Sequence, residues 1–540
     1  MNNISFQLEL RPDLPNVYGT LDYREFRDTL IKIDEVLVKS GFEHKLATEA
    51  LGQYVANNEL NTNKFYNSKE STFHYKKLRH ALRCNIARHL TGESYRQFSI
   101  RLADSELFQW FTSISAFGCR KAISKSTLER YEKCFDEAML AEKIREWLSG
   151  LTDTNNAAEA GIHNPINCKN LFSDSTCIKA NIHFPVDWVL LRDAARSSLL
   201  AIKTIRAQGL VNRMIEPQLF LKQMNKLCIA MTHARRKPDS KKQRKIVFRK
   251  MKKLSRCIAK HGKSYRELLS KEWGKTQWTH AQALQVIRRI DSVLEQLPAA
   301  TKQAHERIIG ERLIPSENKI LSLYDNDAHV IVRGKADSEV EFGQGLLLTE
   351  QSDGLIINWQ LFKDRPPVDS KLLEPMLERI ERHYGAIESL CTDRGFSDKK
   401  NDAILEAHKI YNAVCPKSPR QLQKKLSDPI FLSLQTRRSQ TEARIGIFKN
   451  VFLGKPLRSR ITDYKRLAIS WSVLTHNLWL LSRKAIAVWR YLVKNFGRPC
   501  PRNSLDDAPV ISFCRSRPAS NACSHKTKAF AHISHNDSTA

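Results

Sequence analysis

A β-prone, apolar run from Ile387 to Thr392 ends abruptly at Asp393, which is followed at once by Arg394, Gly395 and Phe396. A polar stretch with Asp398, Lys399, Lys400 and Asn401 then opens a predicted helix. A strand that stops at a carboxylate and turns into a helix belongs to an α/β sheet. It puts Asp393 at the open lip of that sheet, where ligands and metals are held. Gly395, with no Cβ, lets the backbone turn tightly there. An ordinary strand-to-helix loop reads the same way. Two further carboxylates in matching settings, Asp174 and Glu442, favour a site.

Asp174 stands in the middle of a β-prone, partly alternating stretch, Leu171 to His183. A carboxylate beside a core is costly unless something pairs with it, and a metal is a common partner. Asp187, after Pro185, is the rival candidate; it lies in a turn setting and needs no partner. Glu442 falls in the segment Gln435 to Lys449, where Arg438, Glu442 and Lys449 run along one side of a predicted helix at i, i+4 and i+11. A surface ion-pair ladder would share that pattern.

The charge balance speaks to partners. Against 57 Asp+Glu stand 88 Lys+Arg, a net charge of +31, which points to a polyanion and most often to nucleic acid. The densest part is Arg235-Arg236-Lys237 with Lys241, Lys242, Arg244 and Lys245, followed by Arg249 to Lys253. Val247, Met251 and Leu254 suggest an apolar stripe beneath that basic face, which is expected to hold DNA backbone. The 12 Cys include no Cys-x-x-Cys pair, which argues against a zinc ribbon or a disulfide framework and for a reduced setting. Met1 to Phe6 has no signal-peptide character. The longest uncharged apolar run, Leu467 to Ser482, contains His476 and Asn477 and reads as a buried helix rather than a membrane span.

The length of 540 residues suggests two to four domains. Residues 1–165 read as a helical, helix-turn-helix-like DNA-binding domain. Its capped helices begin at Ser94 and, after a turn containing Gly118, at Ser124, where Lys125 is placed to reach phosphates. Residues 187–316 read as a basic helical insertion. Strands are expected at Ile320–Tyr324, Ala328–Arg333 and Glu341–Gly343, with a hairpin from Leu346 to Trp359 turning at Asp353-Gly354. A helix from Ser370 to Tyr384 leads to the Asp393 strand. A helix from Asn401 to Lys409, a short strand Tyr411–Cys415 and a Pro/Lys-rich connector Pro416–Lys425 follow. Residues 461–494 read as an apolar, Trp-rich helical segment and 495–540 as a disordered tail.

This order of elements resembles the RNase H-like core of DDE transposases from bacterial insertion sequences. The likeness is also local. It is carried by Phe172 to Thr176 with Ile182 to Asp187, by Gly334-Lys335 with Val340 to Gly343 and Asp353-Gly354, and by Thr392 to Phe396. Arg438-x3-Glu442-x6-Lys449 reproduces most of the family's Tyr-x2-Arg-x3-Glu-x6-Lys pattern, with Gln435 where the pattern has Tyr. The resemblance implies an α/β RNase H-like catalytic core, a mixed five-stranded sheet flanked by helices, built from 166–186 and 317–494. It implies that Asp174, Asp393 and Glu442 bind two Mg²⁺ ions, with Mn²⁺ able to substitute, and that Arg438 and Lys449 hold DNA phosphates while Arg394 orients its loop. Hard oxygen ligands suit those ions. The implied activity is metal-dependent cleavage and strand transfer on double-stranded DNA, both element terminal inverted repeats and target. The implied assembly is a homodimer or larger in the synaptic complex, cytoplasmic and nucleoid-associated, with no membrane. The alternatives are a nuclease of the same fold that never joins strands and a non-catalytic, transposase-derived DNA-binding protein.

Overall fold

The computed structural model describes Leu14 and residues 19–496, except 116–119, 163–164, 235, 237, 336–337, 455–456 and 458. Residues 1–13 and 15–18, the Gly118 turn, Arg235, Lys237 and the tail beyond Phe496 therefore lie outside the described residues.

One mixed sheet organises the fold. Its strands are β1 (Asn170–Lys179), β2 (His329–Lys335), β3 (Ser338–Gln351), β4 (Ile356–Leu361), β5 (Ser389–Thr392) and β6 (Tyr411–Val414). β1 is central. On one edge it runs parallel to β5, which runs parallel to β6; on the other it is antiparallel to β3. β3 is long enough to hold two partners on its far edge, β2 along its first half and β4 along its second. β5 is buried at every position, as a parallel strand covered on both faces should be. The hairpin turns where expected, with Gly354 at φ +93° and its N–H bonded to the Gln351 carbonyl at 2.8 Å.

Three expectations need correction. The sheet has six strands rather than five, and Glu341–Gly343 and the Leu346 run are one continuous strand, β3, that pairs with both β2 and β4. Ile320–Tyr324 is not a strand: the Ser322 hydroxyl accepts from the backbone N–H groups of Tyr324 (3.1 Å) and Asp325 (3.3 Å), a local turn that competes with sheet pairing. The Pro/Lys-rich connector contains a helix, Pro419–Leu426, because Pro419 suits a first-turn position where no N–H is required.

Nine helices precede the sheet among the described residues: α1 (Leu21–Lys39), α2 (Phe42–Asn57), α3 (Thr62–Tyr66), α4 (Lys69–Thr91), α5 (Tyr95–Asp104), α6 (Glu106–Thr112), α7 (Lys125–Glu132), α8 (Glu137–Gly150) and α9 (Thr154–Glu159). Ser94 caps α5 in a reciprocal capping box with Gln97, and Ser124 caps α7. The two touch, the Ser99 hydroxyl donating to the Ile123 carbonyl at 2.5 Å, but α6 intervenes between them in the chain. Buried Arg83 on α4 ties the bundle together, donating to Glu43 at 2.6 Å, Asp34 at 2.5 Å and the Phe111 carbonyl at 2.9 Å. Burial alone would raise Glu43, but the hydrogen bond and charge of Arg83, with Arg79, outweigh it and hold the carboxyl at about 2. The apolar core of these helices is continuous with that of the sheet. Phe135 meets Trp471 with ring centroids 5.2 Å apart, and the Arg145 guanidinium lies over Trp359 of β4 at 4.7 Å.

The insertion between β1 and β2 is a bundle with its own core: α10 (Asp187–Ala207), α11 (Pro217–Ala234), α12 (Ser240–Glu272) and α13 (His280–Ile308). Its apolar stripe on α12 runs through Phe248, Met251, Leu254 and Ile258, one position on from the expected start at Val247. Asp187 also differs from expectation. It is buried at the start of α10 and accepts from Gln303 Nε2 at 3.0 Å and Arg307 Nη1 at 2.8 Å, so it fastens α10 to α13. Downstream of β4 come α14 (Leu373–Tyr384), α15 (Lys399–Ala407), α16 (Pro419–Leu426), α17 (Pro429–Ile447) and α18 (Thr462–Phe496). α18 buries Leu467, Trp471, Leu474 and Leu478, and its helix passes the expected end at 494. Among the described residues no helix is long and apolar enough to cross a membrane. Residues 490–540 form a separate unit, of which only the end of α18 is described.

Candidate active site

Two carboxylates meet because two parallel strands are in register. Phe172 of β1 pairs with Cys391 of β5; two residues further along each chain stand Asp174 and Asp393, on the same side of the sheet. β5 stops one residue short of Asp393, whose carboxylate turns back to accept the Gly395 N–H at 2.9 Å and caps a one-turn 3₁₀ helix, Arg394–Phe396. Buried Asn401 holds that loop, donating to the carbonyls of Phe396 and Ser370, both at 2.8 Å. Arg394, expected to orient the loop, is exposed.

The third carboxylate arrives on α17, and Gln435 sets where that helix lies. Its Nε2 donates to the carbonyls of Ala413 (2.7 Å) and Thr392 (3.2 Å), at the ends of β6 and β5, while its Oε1 accepts from Arg438 Nε at 3.3 Å. Glu442 follows one turn after Arg438, with 3.6 Å between Arg438 Nη1 and its carboxylate, and its side chain is 59% exposed at the mouth of the cleft. α17 then widens into a π turn, Phe448–Phe452, rather than continuing as the straight helix expected. Lys449, on that turn, donates to Thr176 Oγ1 at 3.0 Å, two residues along β1 from Asp174.

Asp174, Asp393, Glu442 and Lys449 line one open cleft of about 950 Å³. Burial, and next the charge of Asp393, push the Asp174 carboxyl up to about 6; Arg438 opposes them, and Glu442 adds to the rise. A half-buried carboxylate raised by two others is a place where a cation is favoured. The donors are all carboxylate oxygens, the kind Mg²⁺ and Mn²⁺ take, so the residues fit such ions in chemistry. Among the described residues no three acidic, His or Cys side chains are already gathered closely enough to cage an ion. Glu442 is engaged with Arg438 instead.

The sequence reading missed two features of the site. Asp369, also lining the cleft, faces Asp393 across Gly395. A Cβ at Gly395 would stand 2.7 Å from Asp369 Oδ2 and 3.0 Å from Asp393 Oδ1, so a side chain there would push the two carboxylates apart. The only signal was an acid after Pro366-Pro367, just before a helix. The second is Glu350, buried in β3, which accepts from Arg437 Nη2 (2.9 Å), Arg444 Nη1 (3.1 Å) and Thr441 Oγ1 (2.7 Å) and so pins the Glu442 region to the sheet. A charge inside a β-prone run was its mark.

The basic residues nominated for DNA in the N-terminal helices and the insertion, Lys125 and Lys241 to Lys245, do not line the cleft and divide among themselves. Lys125 is exposed on the first turn of α7. Lys241 and Lys245 both bind Glu311 at 2.8 Å and, through those bonds, hold its carboxyl at about 2. The Arg244 guanidinium lies over the Trp188 ring at 5.7 Å, while Lys242 is exposed. No protein-family model matches this chain, and no curated protein and no solved structure proved similar to it.

Proposed function

We propose that this chain is a DNA transposase that binds the ends of its own element and cuts and joins DNA with Asp174, Asp393 and Glu442, on an RNase H-like core. The observation that carries the reading is the parallel register that brings Asp174 beside Asp393, with Glu442 facing the same cleft from α17. The order of elements adds support: the Asp174 strand, a helical insertion, three strands, a helix, β5 before Asp393, and at the end the Glu442 helix.

The three carboxylates would hold Mg²⁺ or Mn²⁺, which supply activation of the attacking oxygen and stabilisation of the leaving oxygen in phosphodiester cleavage and joining. Asp174 comes from within β1 and Asp393 from the capped turn that follows β5, and together they set the geometry of the pair. Glu442 lines the cleft from α17, exposed and one helical turn from Arg438. Arg438 and Lys449 bring positive charge to the cleft for DNA phosphates. The excess of basic residues, +31 overall, suits a nucleic-acid partner and a nucleoid-bound protein in the cytoplasm.

The test uses purified protein and labelled duplexes carrying the inverted repeats that flank its gene. Mg²⁺- or Mn²⁺-dependent cleavage and strand-transfer products are expected, and Asp174→Ala, Asp393→Ala and Glu442→Ala should each lower the chemical step by several orders of magnitude while end binding persists. Near-normal metal-dependent cleavage by Asp174→Ala would end the assignment. Cleavage without joined products would reduce the protein to a nuclease.

A further inference from the structure

The face of α12 turned away from its bundle carries an unbroken stripe of positive charge. Lys242, Arg249, Lys253, Arg256, Lys260 and Lys263 are all exposed, at spacings of seven, four, three, four and three residues. At 100° per residue those spacings keep all six within one narrow sector of the helix. Phe248, Met251, Leu254, Ile258, Tyr265 and Leu269 occupy the opposite side and are buried in the bundle. No acidic residue occurs between Asp239 and Glu267. Among the described residues the ion pairs of α12 lie toward its two ends, Lys241 and Lys245 with Glu311, Arg266 with Asp291 and Glu272 with Lys275.

We propose that this face of α12 lies along the phosphate backbone of duplex DNA, a binding surface separate from the catalytic cleft. The inference rests on the reading of the chain as a DNA-working protein. From Lys242 to Lys263 the stripe measures about 32 Å at 1.5 Å per residue, close to the roughly 34 Å of one duplex turn. Its repeat, a cation at nearly every helical turn, follows charge rather than base edges: it holds no Asn or Gln, and four of its six members are Lys, which binds phosphate as a point charge. A protein partner would call for several aromatic or aliphatic anchors, and a membrane surface for an apolar flank; beside the stripe α12 exposes one large apolar side chain among the described residues, Ile246. The nominated Lys241, Arg244 and Lys245 are engaged within the fold, so the backbone contacts pass to residues further along the helix.

The experiment compares full-length wild type with the quadruple variant Arg249→Gln, Lys253→Gln, Arg256→Gln, Lys260→Gln. The double variant Lys241→Gln, Lys245→Gln serves as control. Binding of a random-sequence duplex is followed by fluorescence anisotropy across a salt series, with circular dichroism to verify folding. Each lost phosphate contact flattens the log–log salt slope by about 0.9, so the quadruple variant should lose about 3 to 4 and the control less than 1. Arg249→Lys with Arg256→Lys should keep the wild-type slope. If the quadruple variant does not fold, Lys253→Gln and Lys260→Gln singly should each show the loss of about 0.9. An unchanged slope with duplex binding intact overturns the stripe alone. So does a control that flattens as much as the quadruple variant, or a quadruple variant that loses binding to phosphatidylserine vesicles but not to DNA. A wild-type protein with no salt-dependent duplex binding would overturn the DNA reading along with it. No cleavage is measured, so a loss of catalysis does not enter the result.

Discussion

Asp174 carries its charge at a cost that the fold sets and pH reveals. Its carboxyl titrates at about 6 in the folded protein, raised first by burial and then by Asp393, against about 3.9 in an unfolded chain. The folded state therefore holds this proton more tightly. The associated stability is fully present below about pH 4 and is lost as pH rises through 6. Asp174→Asn removes that penalty, so without divalent cations its melting temperature should exceed that of the wild type at pH 8, and the gap should close at pH 4. Parallel melting profiles across that range would contradict the coupling. Added Mn²⁺ at pH 8 should stabilise the wild type, by about 2.7 kcal/mol at a hundredfold excess over Kd, and the variant much less. Gly395 is the companion case. Gly395→Ala puts a methyl against the oxygens of both Asp369 and Asp393, which must then separate. Mn²⁺ affinity by calorimetry should fall about tenfold or more, the scale seen when groups that orient metal ligands are disturbed. Unaltered affinity would mean the two carboxylates are not held against each other as described.

At the scale of elements, α17 is placed by polar contacts. Gln435 supplies donors to carbonyls at the ends of β5 and β6, and Glu350 gathers Arg437 and Arg444 from the same region. Gln435→Leu keeps the volume and removes both donors, which should cost about 1–3 kcal/mol in denaturant unfolding and lower kcat more than it raises KM. A variant with wild-type kcat would show that the clamp does not position Arg438 and Glu442. Asp187 gives the matching test in the insertion. Its two hydrogen bonds hold α10 to α13, so Asp187→Ala should destabilise the protein by about 1.5–3 kcal/mol while leaving cleavage per folded molecule intact. Loss of cleavage with stability unchanged would return Asp187 to the list of catalytic candidates.

For the whole molecule, the proposed reaction joins two element ends, so at least two subunits should assemble on DNA whatever the state of the free protein. Analytical ultracentrifugation with paired-end duplexes should detect that complex. Joined-end transfer by one subunit on one end at high dilution would rule it out. The N-terminal helices share one apolar core with the sheet, whereas the insertion keeps a core of its own. Truncation before β1 would therefore expose the faces of α18 and β4 that Phe135 and Arg145 cover.

The features legible in the amino-acid sequence are local. Alternation and turn chemistry placed β1, the Asp353-Gly354 hairpin, β5 and the capped helices at Ser94 and Ser124, because period and capping are written in neighbouring residues. It singled out Asp174, Asp393 and Glu442 for the same reason: a carboxylate is conspicuous beside β-prone runs and on a patterned helix. The tertiary structure alone decided what depends on partners distant in the chain. The register of β1 with β5 brought two acids 219 positions apart together, and Gly395 turned out to be wedged between Asp393 and an unsuspected Asp369. Asp187 proved to be a buried tie, and Lys241 and Lys245 to be bound to Glu311, because a charge shows its role only when the group facing it is known. Sequence spacing carries no information about that facing group, which the packing of remote elements supplies.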